Sequence, residues 1–421
     1  MVIGQGSVER TLTSEDVRQL LATALEPLPL DGKKILVIIP DSTRTAPIPL
    51  IFYLLHDLIG RRVARLDYLV ALGTHPPMDG EAIDRLVGVS AAERAEGYPK
   101  TRIFNHRWDL PDTLETVGVI SGREMAALSG GLVEEETPVR LNRMVFDYDQ
   151  LIICGPVFPH EVVGFSGGAK YLFPGIAGPE IINSTHWLGA MVTNVKTIGI
   201  KDTAVRRVIH RAAEFLSRPI LCLSLVLQGS ALHGLYAGSL VESWEAAAEL
   251  SAQLNVVVVP HAFRKVLSMP SEMYDDLWTA AKAMYKVEPA VADGGEVIIY
   301  APHITEVSYT HGRLLDEVGY HVLEYFTKQP ERFREVPGGV KAHSTHVKGA
   351  GSYDPATGIE TPRVSVTLAT GIPEARCRRI NLGYLDYRTI DPKAWAGREK
   401  EGILLLLHAG EMLFRARDLQ F

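Results

Sequence analysis

One stretch of the sequence, HEVVGFSGGAKYLFPG at residues 160–175, combines a histidine and a lysine with a high density of glycine. Lys170 lies ten residues after His160 and sixteen residues before His186. A lysine amine can neutralise an anion, or act as a nucleophile when burial lowers its pKa. Imidazole can transfer protons near neutral pH or bind a metal ion. Together the three side chains predict a catalytic or cofactor-binding site.

The glycine pair Gly167 and Gly168 narrows the role of this lysine. A dense glycine run usually marks backbone that closely approaches a ligand, so we expect the pair to contact one. The segment is not a P-loop, because Lys170 follows Ala169 and precedes Tyr171. Three roles stay open for Lys170: neutralising a phosphate, forming a covalent imine or amide, or extending from a core helix. The glycines make the last role the least favoured.

The motif PDSTR follows an apolar run and supplies a second group of polar residues: Asp41, Ser42, Thr43 and Arg44. Backbone N–H groups at the start of a helix favour anions, and the Arg44 guanidinium can bind a carboxylate or phosphate in a bidentate manner. The alternative interpretation is a capped helix with Asp41 as its N-cap.

Two further histidines follow apolar runs, as PDSTR does, and one further lysine lies in a helix-like stretch. In GTHPPM, Gly73 permits close backbone approach, Thr74 can donate to a phosphate, and His75 alone is more often structural. In IFNHRWD, His106 has neighbours that could orient or charge its ring, and the alternative is a partly exposed loop histidine. For Lys282 alone, a solvated amphipathic helix is the simpler interpretation.

The elements that must position these residues are strands alternating with helices. Strand-like runs are KKILVIIPD, ARLDYLV, DQLIICGPV, LNVVVVP and GGEVIIYA, and polar residues follow each run. This alternation predicts an α/β fold with mostly parallel sheets, in which ligands bind beyond the carboxyl ends of the strands. The helical pattern YDDLWTAAKAMYKV predicts one helix, and KGAGSYDPATGIETP predicts a loop. We expect an N-terminal domain at 1–265 and a C-terminal domain at 266–421, with the last ~20 residues packing back on the first.

Composition excludes several classes of function. The 421 residues carry a net charge of -7 without a long basic block, which argues against nucleic-acid binding. Three widely spaced cysteines show no zinc-ribbon spacing, so we expect no disulfide framework and a cytoplasmic location. We expect no signal peptide and no membrane span, because no apolar run approaches ~20 residues.

Taken together, these motifs resemble the nickel-pincer lactate racemase family. The resemblance rests on D-x-T-R, G-T-H, N-H and P-H-E-x-x-G-F-S-G-G-x-K-x-x-x-P-G followed by a further histidine. It covers most of the chain, and its most specific part is the segment 155–186. The family uses a pyridinium bis-thiocarboxylate mononucleotide that holds nickel through one carbon and two sulfurs.

The resemblance implies a role for each motif. It implies that Lys170 tethers the cofactor through a thioamide, that His186 completes a roughly planar nickel site, and that Lys282 binds the substrate carboxylate. It implies that His106 and His160 are the two acid/base groups. Further cofactor contacts would come from Asp41, Ser42, Thr43, Arg44, Gly73, Thr74, His75, Gly167 and Gly168, with Arg44 and Thr279 also contacting substrate.

The family's chemistry implies how such a site would work. One histidine takes the hydroxyl proton of a 2-hydroxy acid while the pincer accepts hydride, which gives a planar 2-keto acid, and hydride then returns to the other face. Inversion in both directions needs a base on each side of the substrate. We expect the site in the cleft between the domains, with hinge closure excluding water. Other enzymes must make the cofactor, so we expect transient contacts with them, whereas the oligomeric state is not predicted.

One departure bears on the substrate. The family's lactate enzymes carry a glutamine three residues before the substrate lysine, where this chain has the shorter Thr279. Polar side chains in APHITEVSYTHG could bind extra hydroxyl groups, or form a hydrogen-bond network between domains: His303, Glu306, Ser308, Tyr309 and His311. The sequence therefore predicts a 2-hydroxy acid larger or more polar than lactate, such as gluconate, with lactate itself as the alternative.

Two alternatives come from other classes of function. Lys170 could form an imine in a lyase or aldolase, which borohydride would trap in metal-free protein. The same ligands could also serve a non-catalytic carrier of nickel or of the nucleotide. A carrier would not need both His106 and His160, whereas a racemase would.

Overall fold

The computed structural model describes residues 2–420, which form two compact units. The first unit contains the chain up to Phe158, Phe165–Ile182 and Arg206–Leu254. The second contains Pro159–Gly164, Asn183–Val205 and the chain from Asn255 onward. Short strands at Pro159–His160 and Gly164–Phe165, and the helices Pro179–Val192 and Ala204–Glu214, lie where the chain passes from one unit to the other.

A mostly parallel sheet forms the centre of the first unit. Within the described residues it has seven strands, in the spatial order Ile3–Gly6, Ala231–Gly238, Ile220–Gln228, Gln150–Pro156, Lys34–Ile39, Arg65–Val70 and Ile103–Asn105. The first two pairings are antiparallel and the other four are parallel. The β-branched run KILVII is buried over Ile35–Ile39, as expected for a strand covered on both faces.

The chain order of this sheet reverses between Lys34–Ile39 and Gln150–Pro156. Strands later in the chain lie on both sides of that point, and ligands of α/β sheets bind beyond the carboxyl ends of the strands there. Helices of the first unit are Ser14–Leu25, Ile48–Ile59, Gly80–Val87, Ala91–Gly97, Gly122–Ser129 and Glu242–Asn255, with a hairpin of Leu114–Ile120 and Thr137–Asn142. Single 3-10 turns occur at Pro111–Thr113, Arg143–Asp147 and Gly168–Tyr171.

The second unit contains an entirely parallel sheet. Its strands, among the residues described, follow the spatial order Gly383–Tyr384, Ser365–Thr370, Val291–Ala301, Phe263–Pro270 and Ile403–Ala409. Its helices are Asn194–Thr197, Leu277–Ala280, Lys282–Tyr285, Gly312–Val318, Leu323–Thr327, Gly338–Lys348 and Glu374–Arg379, with 3-10 turns at Glu288–Ala290, Tyr387–Thr389, Pro392–Trp395 and Glu399–Glu401. The chain order reverses between Phe263–Pro270 and Ile403–Ala409, and Lys282 follows the first of these strands.

The predicted α/β class with mostly parallel sheets is confirmed, but the predicted division of the chain is not the observed one. The boundary predicted at 265 lies near the last crossing, yet 159–164 and 183–205 belong to the second unit. The C-terminal strand Leu413–Ala416 pairs with Val256–Val259 inside that same unit, and not with the first. Such exchanges depend on long-range pairing, which composition does not reveal.

Two local predictions also need correction. The single helix predicted over YDDLWTAAKAMYKV is two four-residue helices, Leu277–Ala280 and Lys282–Tyr285. The predicted loop KGAGSYDPATGIETP contains a hairpin of Gly351–Asp354 and Ile359–Pro362, whose turn includes Gly358 at φ 72°. Over residues 2–420, no helix has the length and apolar character needed to cross a membrane.

Candidate active site

Asp41 and His75 meet at the carboxyl ends of two neighbouring parallel strands of the first unit. His75 Nδ1 lies 2.5 Å from Asp41 Oδ2, and 7% of the aspartate side chain is exposed against 21% of the histidine. Burial raises the pKa of Asp41, but the attraction of His75, with Arg44 and the Thr43 hydroxyl, outweighs it and holds the pKa well below its usual range. The carboxylate therefore orients an imidazole whose other nitrogen is available for proton transfer.

The rest of the PDSTR turn supports this pair. Thr43 donates to Asp41 Oδ1 from its hydroxyl (2.7 Å) and from its backbone N–H (3.1 Å). Arg44 Nη1 donates to the carbonyl and hydroxyl oxygens of Thr43, both at 3.0 Å. Asp41 is not an N-cap, because the next helix begins at Ile48 with Pro47 before it. Ser42 is exposed.

The segment that carries Lys170 is hydrogen-bonded to the loop that follows the strand Arg65–Val70. The Gly73 N–H donates to the Gly175 carbonyl (2.9 Å), and the Gly175 N–H donates to the Lys170 carbonyl (3.0 Å). Lys170 is partly exposed and lies in the 3-10 turn Gly168–Tyr171, while Thr74 beside Gly73 is also partly exposed. The first unit thus brings the predicted lysine turn and the GTH loop together.

The glycines before Lys170 have a structural reason that the sequence interpretation missed. Gly167 and Gly168 have φ of 82° and 59°, a region that side-chain-bearing residues rarely adopt. A Cβ at Gly167 would lie 2.5 Å from Val157, and one at Gly168 would lie 2.9 Å from the Leu240 carbonyl and 3.0 Å from Trp244. The close approach is to the protein's own residues, so the glycines alone do not indicate ligand contact.

His106 occupies a different environment from His75. Its ring is 1% exposed, with Nε2 at 3.0 Å from the Ala177 carbonyl and Nδ1 at 3.1 Å from Asn142 Nδ2. Burial lowers the pKa of His106 to about 4. Both nitrogens are engaged with protein groups, so this ring fixes the polypeptide locally and is poorly placed to exchange protons with a substrate.

In the second unit, His160 makes two contacts that favour opposite protonation states. The Val162 N–H donates to His160 Nδ1 (3.1 Å), which favours a bare Nδ1 and a proton on Nε2. Glu161 Oε2 lies 3.3 Å from the same nitrogen, which favours a protonated Nδ1. Balanced contacts of this kind suit a ring that must both accept and release a proton.

Glu161 links the predicted residues of the second unit. Burial raises the pKa of Glu161, yet the attraction of Lys282, with a contribution from His346 when that ring is protonated, outweighs burial and leaves the pKa below the usual value. Burial lowers the pKa of His346 to about 4; Glu161 opposes that shift and His186 adds to it. His186 itself lies on the helix Pro179–Val192 and is partly exposed. Glu161 is therefore within electrostatic range of Lys282 and His346, and His346 is within range of His186.

Lys282 is a buried cation, 5% exposed. Its Nζ donates to the Thr279 carbonyl (3.2 Å) and lies 4.5 Å from the centre of the Tyr274 ring, a cation–π contact. The Thr279 hydroxyl donates to Asp276 Oδ1 (2.8 Å) and to the Asp276 carbonyl (3.1 Å). Thr279 therefore uses its donor inside the protein, in the N-cap of the short helix Leu277–Ala280.

Two of the polar residues that could bind extra hydroxyl groups of a substrate, Glu306 and His303, make hydrogen bonds to protein groups of the second unit instead. Glu306 accepts from Arg376 Nη2 (2.5 Å) and from the Val307 N–H (2.7 Å), and His303 Nε2 donates to the Tyr274 carbonyl (3.1 Å). These contacts correspond to a structural network. Tyr309 is 59% exposed, and the Ser308 hydroxyl accepts from the His311 N–H (3.1 Å).

An aromatic stack near Lys282 was not predicted. The rings of Trp278 and His343 stack at 4.1 Å and 10°, and the His311 ring lies 4.6 Å from that of Trp278. His343 Nε2 donates to the Trp278 carbonyl (3.1 Å), and burial, the largest cause, lowers the pKa of His343 to about 3. His343 and His346 are three residues apart on the helix Gly338–Lys348, a spacing that could have drawn attention to this helix face.

Comparisons with known proteins identify the family that this chain resembles in sequence. A model of the lactate racemase N-terminal domain matches residues 9–199. The chain is 23% identical over 312 residues to a lactate racemase from Thermoanaerobacterium thermosaccharolyticum, covering 70% of the chain and 67% of that protein. It is 23% identical over 279 residues to a lactate racemase from Lactiplantibacillus plantarum, covering 64% of the chain and 60% of that protein.

Solved structures give the same assignment of fold. A Thermotoga maritima protein superposes with a TM-score of 0.90 and 32% identity, covering 98% of this chain and 100% of the other. The lactate racemase apoprotein from Thermoanaerobacterium thermosaccharolyticum gives a TM-score of 0.71 at 19% identity, over 96% and 93% of the two chains. These structures show the fold, and the domain match and the curated relatives assign the chain to the lactate racemase family.

Proposed function

We propose that this protein is a racemase or epimerase that inverts the alpha carbon of a 2-hydroxy acid. The observation that carries the proposal is the occurrence of two oriented histidines, one in each unit, together with a buried lysine. His75 is held by Asp41 and His160 by Val162 and Glu161. Inversion needs a proton-transfer group on each side of the substrate, and Lys282 supplies a positive charge for the substrate carboxylate.

His75 replaces His106 in this proposal as the acid/base group of the first unit. A general base must reach the proton that it abstracts, and His75 is partly exposed whereas both nitrogens of His106 contact protein groups. With the carboxylate of Asp41 against Nδ1, His75 presents Nε2 as the atom that takes or returns the hydroxyl proton. In the second unit the corresponding group is His160, whose Nδ1 is contacted by both the Val162 N–H and the Glu161 carboxylate.

The residues present also fit the nickel-pincer nucleotide that the family resemblance implies. Lys170 is partly exposed in a fixed turn and would form the tether, and His186 would be the protein ligand of nickel. Among the described residues no group of three or more His, Cys, Asp or Glu side chains could hold a metal, so further donors must come from the cofactor. A carbon–sulfur donor set with one imidazole suits nickel in a tetragonal site. When bound, this group supplies the acceptor for the hydride of the alpha carbon.

We propose a substrate larger or more polar than lactate, such as gluconate. The support is Thr279, whose short side chain leaves more space than glutamine and whose hydroxyl is already bonded to Asp276. His311 and Trp278 lie beside His343 and offer polar edges for a longer chain. His303 and Glu306 no longer support this part of the proposal, because protein groups hold both.

The test uses protein produced together with the enzymes that make the cofactor. We expect one nickel per chain and a mass increment on the peptide containing Lys170, both lost in Lys170→Arg, which keeps the charge. The loaded protein should interconvert the C2 epimers of gluconate faster than the enantiomers of lactate. Inversion by a protein with unmodified Lys170 and no nickel would overturn the cofactor assignment, and equal or exclusive turnover of lactate would overturn the substrate.

A further inference from the structure

A buried arginine lies beneath the turn that carries Lys170. Arg206, on the helix Ala204–Glu214, is 2% exposed. Its Nη2 donates to the Phe165 carbonyl and its Nη1 to the Gly167 carbonyl (3.2 Å). Its guanidinium also lies 4.1 Å from the centre of the Trp244 ring. Burying a cation is unfavourable unless it is well bonded, and here the bonds go to the backbone of the lysine turn.

The indole of Trp244 holds the carbonyl of Ser166, which lies between the two carbonyl groups that Arg206 contacts. Trp244 Nε1 donates to the Ser166 carbonyl (2.8 Å). The Ser166 hydroxyl donates to the Pro156 carbonyl (2.9 Å) and accepts from the Phe158 N–H (3.0 Å). Three successive carbonyl groups, at residues 165, 166 and 167, are therefore held by Arg206 and Trp244.

We call Arg206 and Trp244, with the three carbonyl groups that they hold, the clamp. One of these carbonyl groups connects the clamp to Lys170. The oxygen of Gly167 accepts from Arg206 Nη1 and also from the Lys170 N–H (3.2 Å). That second bond starts the 3-10 turn Gly168–Tyr171. Glycines at positive φ otherwise leave this backbone free to sample many conformations, and the clamp removes that freedom next to the lysine.

We propose that Arg206 and Trp244 are positioning residues that orient Lys170 for its covalent attachment to the cofactor, an inference that rests on the proposed function. In attachment, the lysine nitrogen bonds to the carbon of a thiocarboxylate. The carbon–oxygen bond breaks and the oxygen leaves as water with two protons from the ammonium. The thioamide and water account for all atoms and charges, and no oxidant is required.

The guanidinium of Arg206 has a shape that a lysine ammonium cannot replace at this position. A planar guanidinium reaches carbonyls two residues apart and stacks on an indole at the same time, whereas an ammonium is a compact point charge. Arg206→Lys therefore keeps the charge but loses the fork. Arg207→Lys is the matched control, since Arg207 is exposed on the same helix and donates to the Leu128 carbonyl instead.

The experiment compares these two variants and wild type by three measurements. Hydrogen exchange reports on the amides of 164–175, and peptide mass spectrometry reports how fast unloaded Lys170 is acylated relative to exposed Lys201. On loading, the mass increment at Lys170 is followed with time. For Arg206→Lys we expect faster exchange, altered acylation and attachment slowed by on the order of 10-fold or more, since lost orientation slows a bond-forming step. Arg207→Lys should match wild type.

Arg206→Lys that loads at the wild-type rate, or that leaves amide exchange in 164–175 unchanged, overturns the inference even if its melting temperature falls. If Arg206→Lys does not fold, Trp244→Phe substitutes for it, because it keeps the ring and removes only the N–H bonded to Ser166. If wild-type Lys170 is never modified, the proposed cofactor fails, and the exchange and acylation measurements still decide whether the clamp orients the lysine.

Discussion

Asp41 Oδ2 lies 2.5 Å from His75 Nδ1, and the pair joins the ends of two adjacent parallel strands. The carboxylate is almost completely buried, while one fifth of the histidine side chain is exposed. A buried charge bonded to a partly exposed ring fixes the orientation and tautomer of that ring. This relationship puts the proposed general base at the part of the sheet where ligands are expected.

Asp41→Asn should remove most of the activity without unfolding the protein. The remaining amide oxygen can still accept from Thr43, but an amide N–H would face His75 Nδ1 and favour the tautomer with the proton on Nε2. We expect kcat to fall on the order of 100-fold, measured as racemisation by loaded enzyme. Thr43→Ser is the control, since it keeps the hydroxyl that donates to Asp41 Oδ1. Retention of more than half of the activity in Asp41→Asn would contradict the assigned role.

Substitutions of His75 and His106 should have different effects, the first on kcat and the second on stability. His75→Gln should lower kcat by about 10²–10⁴ with little change in melting temperature, because its amide can still donate to the buried Asp41 but cannot transfer a proton. His106→Ala should destabilise the protein by about 1–3 kcal/mol, because it leaves Ala177 and Asn142 without their buried partner. Folded His106→Ala should keep its turnover. The reverse pattern would restore His106 as the base.

His106 should also make stability depend on pH. Burial lowers its pKa to about 4, against about 6.5 in the unfolded chain, so protonation favours unfolding. Its neutral ring is tolerated fully above pH 6.5, and stability should be lost as the pH falls from 6.5 to 4, by up to roughly 3 kcal/mol. Denaturant unfolding at several pH values would show a smaller loss over this range in His106→Gln. Equal losses in both proteins would show that this ring does not titrate as its burial requires.

Thr279→Gln should shift the substrate preference toward lactate. The longer side chain fills the space beside Lys282 and adds an amide where Thr279 offers no spare donor. We expect the ratio of kcat/KM for lactate over gluconate to rise about 10-fold or more. Thr279→Ser keeps the hydroxyl bonded to Asp276 and controls for damage to the helix cap. An unchanged ratio in a folded, loaded variant would mean that this position does not select the substrate.

The α/β class and the spacing of the motifs can be predicted from the amino-acid sequence alone. The buried β-branched runs have no alternative to strands covered on both faces, and their alternation with helices predicts the parallel sheets. The spacing of His160, Lys170 and His186 carries the family resemblance, and the observed sheet places the polar residues of PDSTR and GTH after adjacent strands. Local patterns are enough for these statements because each depends on neighbouring residues.

Which polar residues contact one another depends on how distant segments of the chain pack. His75 and His106 look alike in sequence, each following a short strand, yet one contacts a buried carboxylate and the other is enclosed by Ala177 and Asn142. Glycines 167 and 168 suggested a ligand, but they are required by Val157 and Trp244, which come from other parts of the chain. Burial and hydrogen bonding between distant segments set protonation and exposure, and those interactions exist only once the strands and helices have packed.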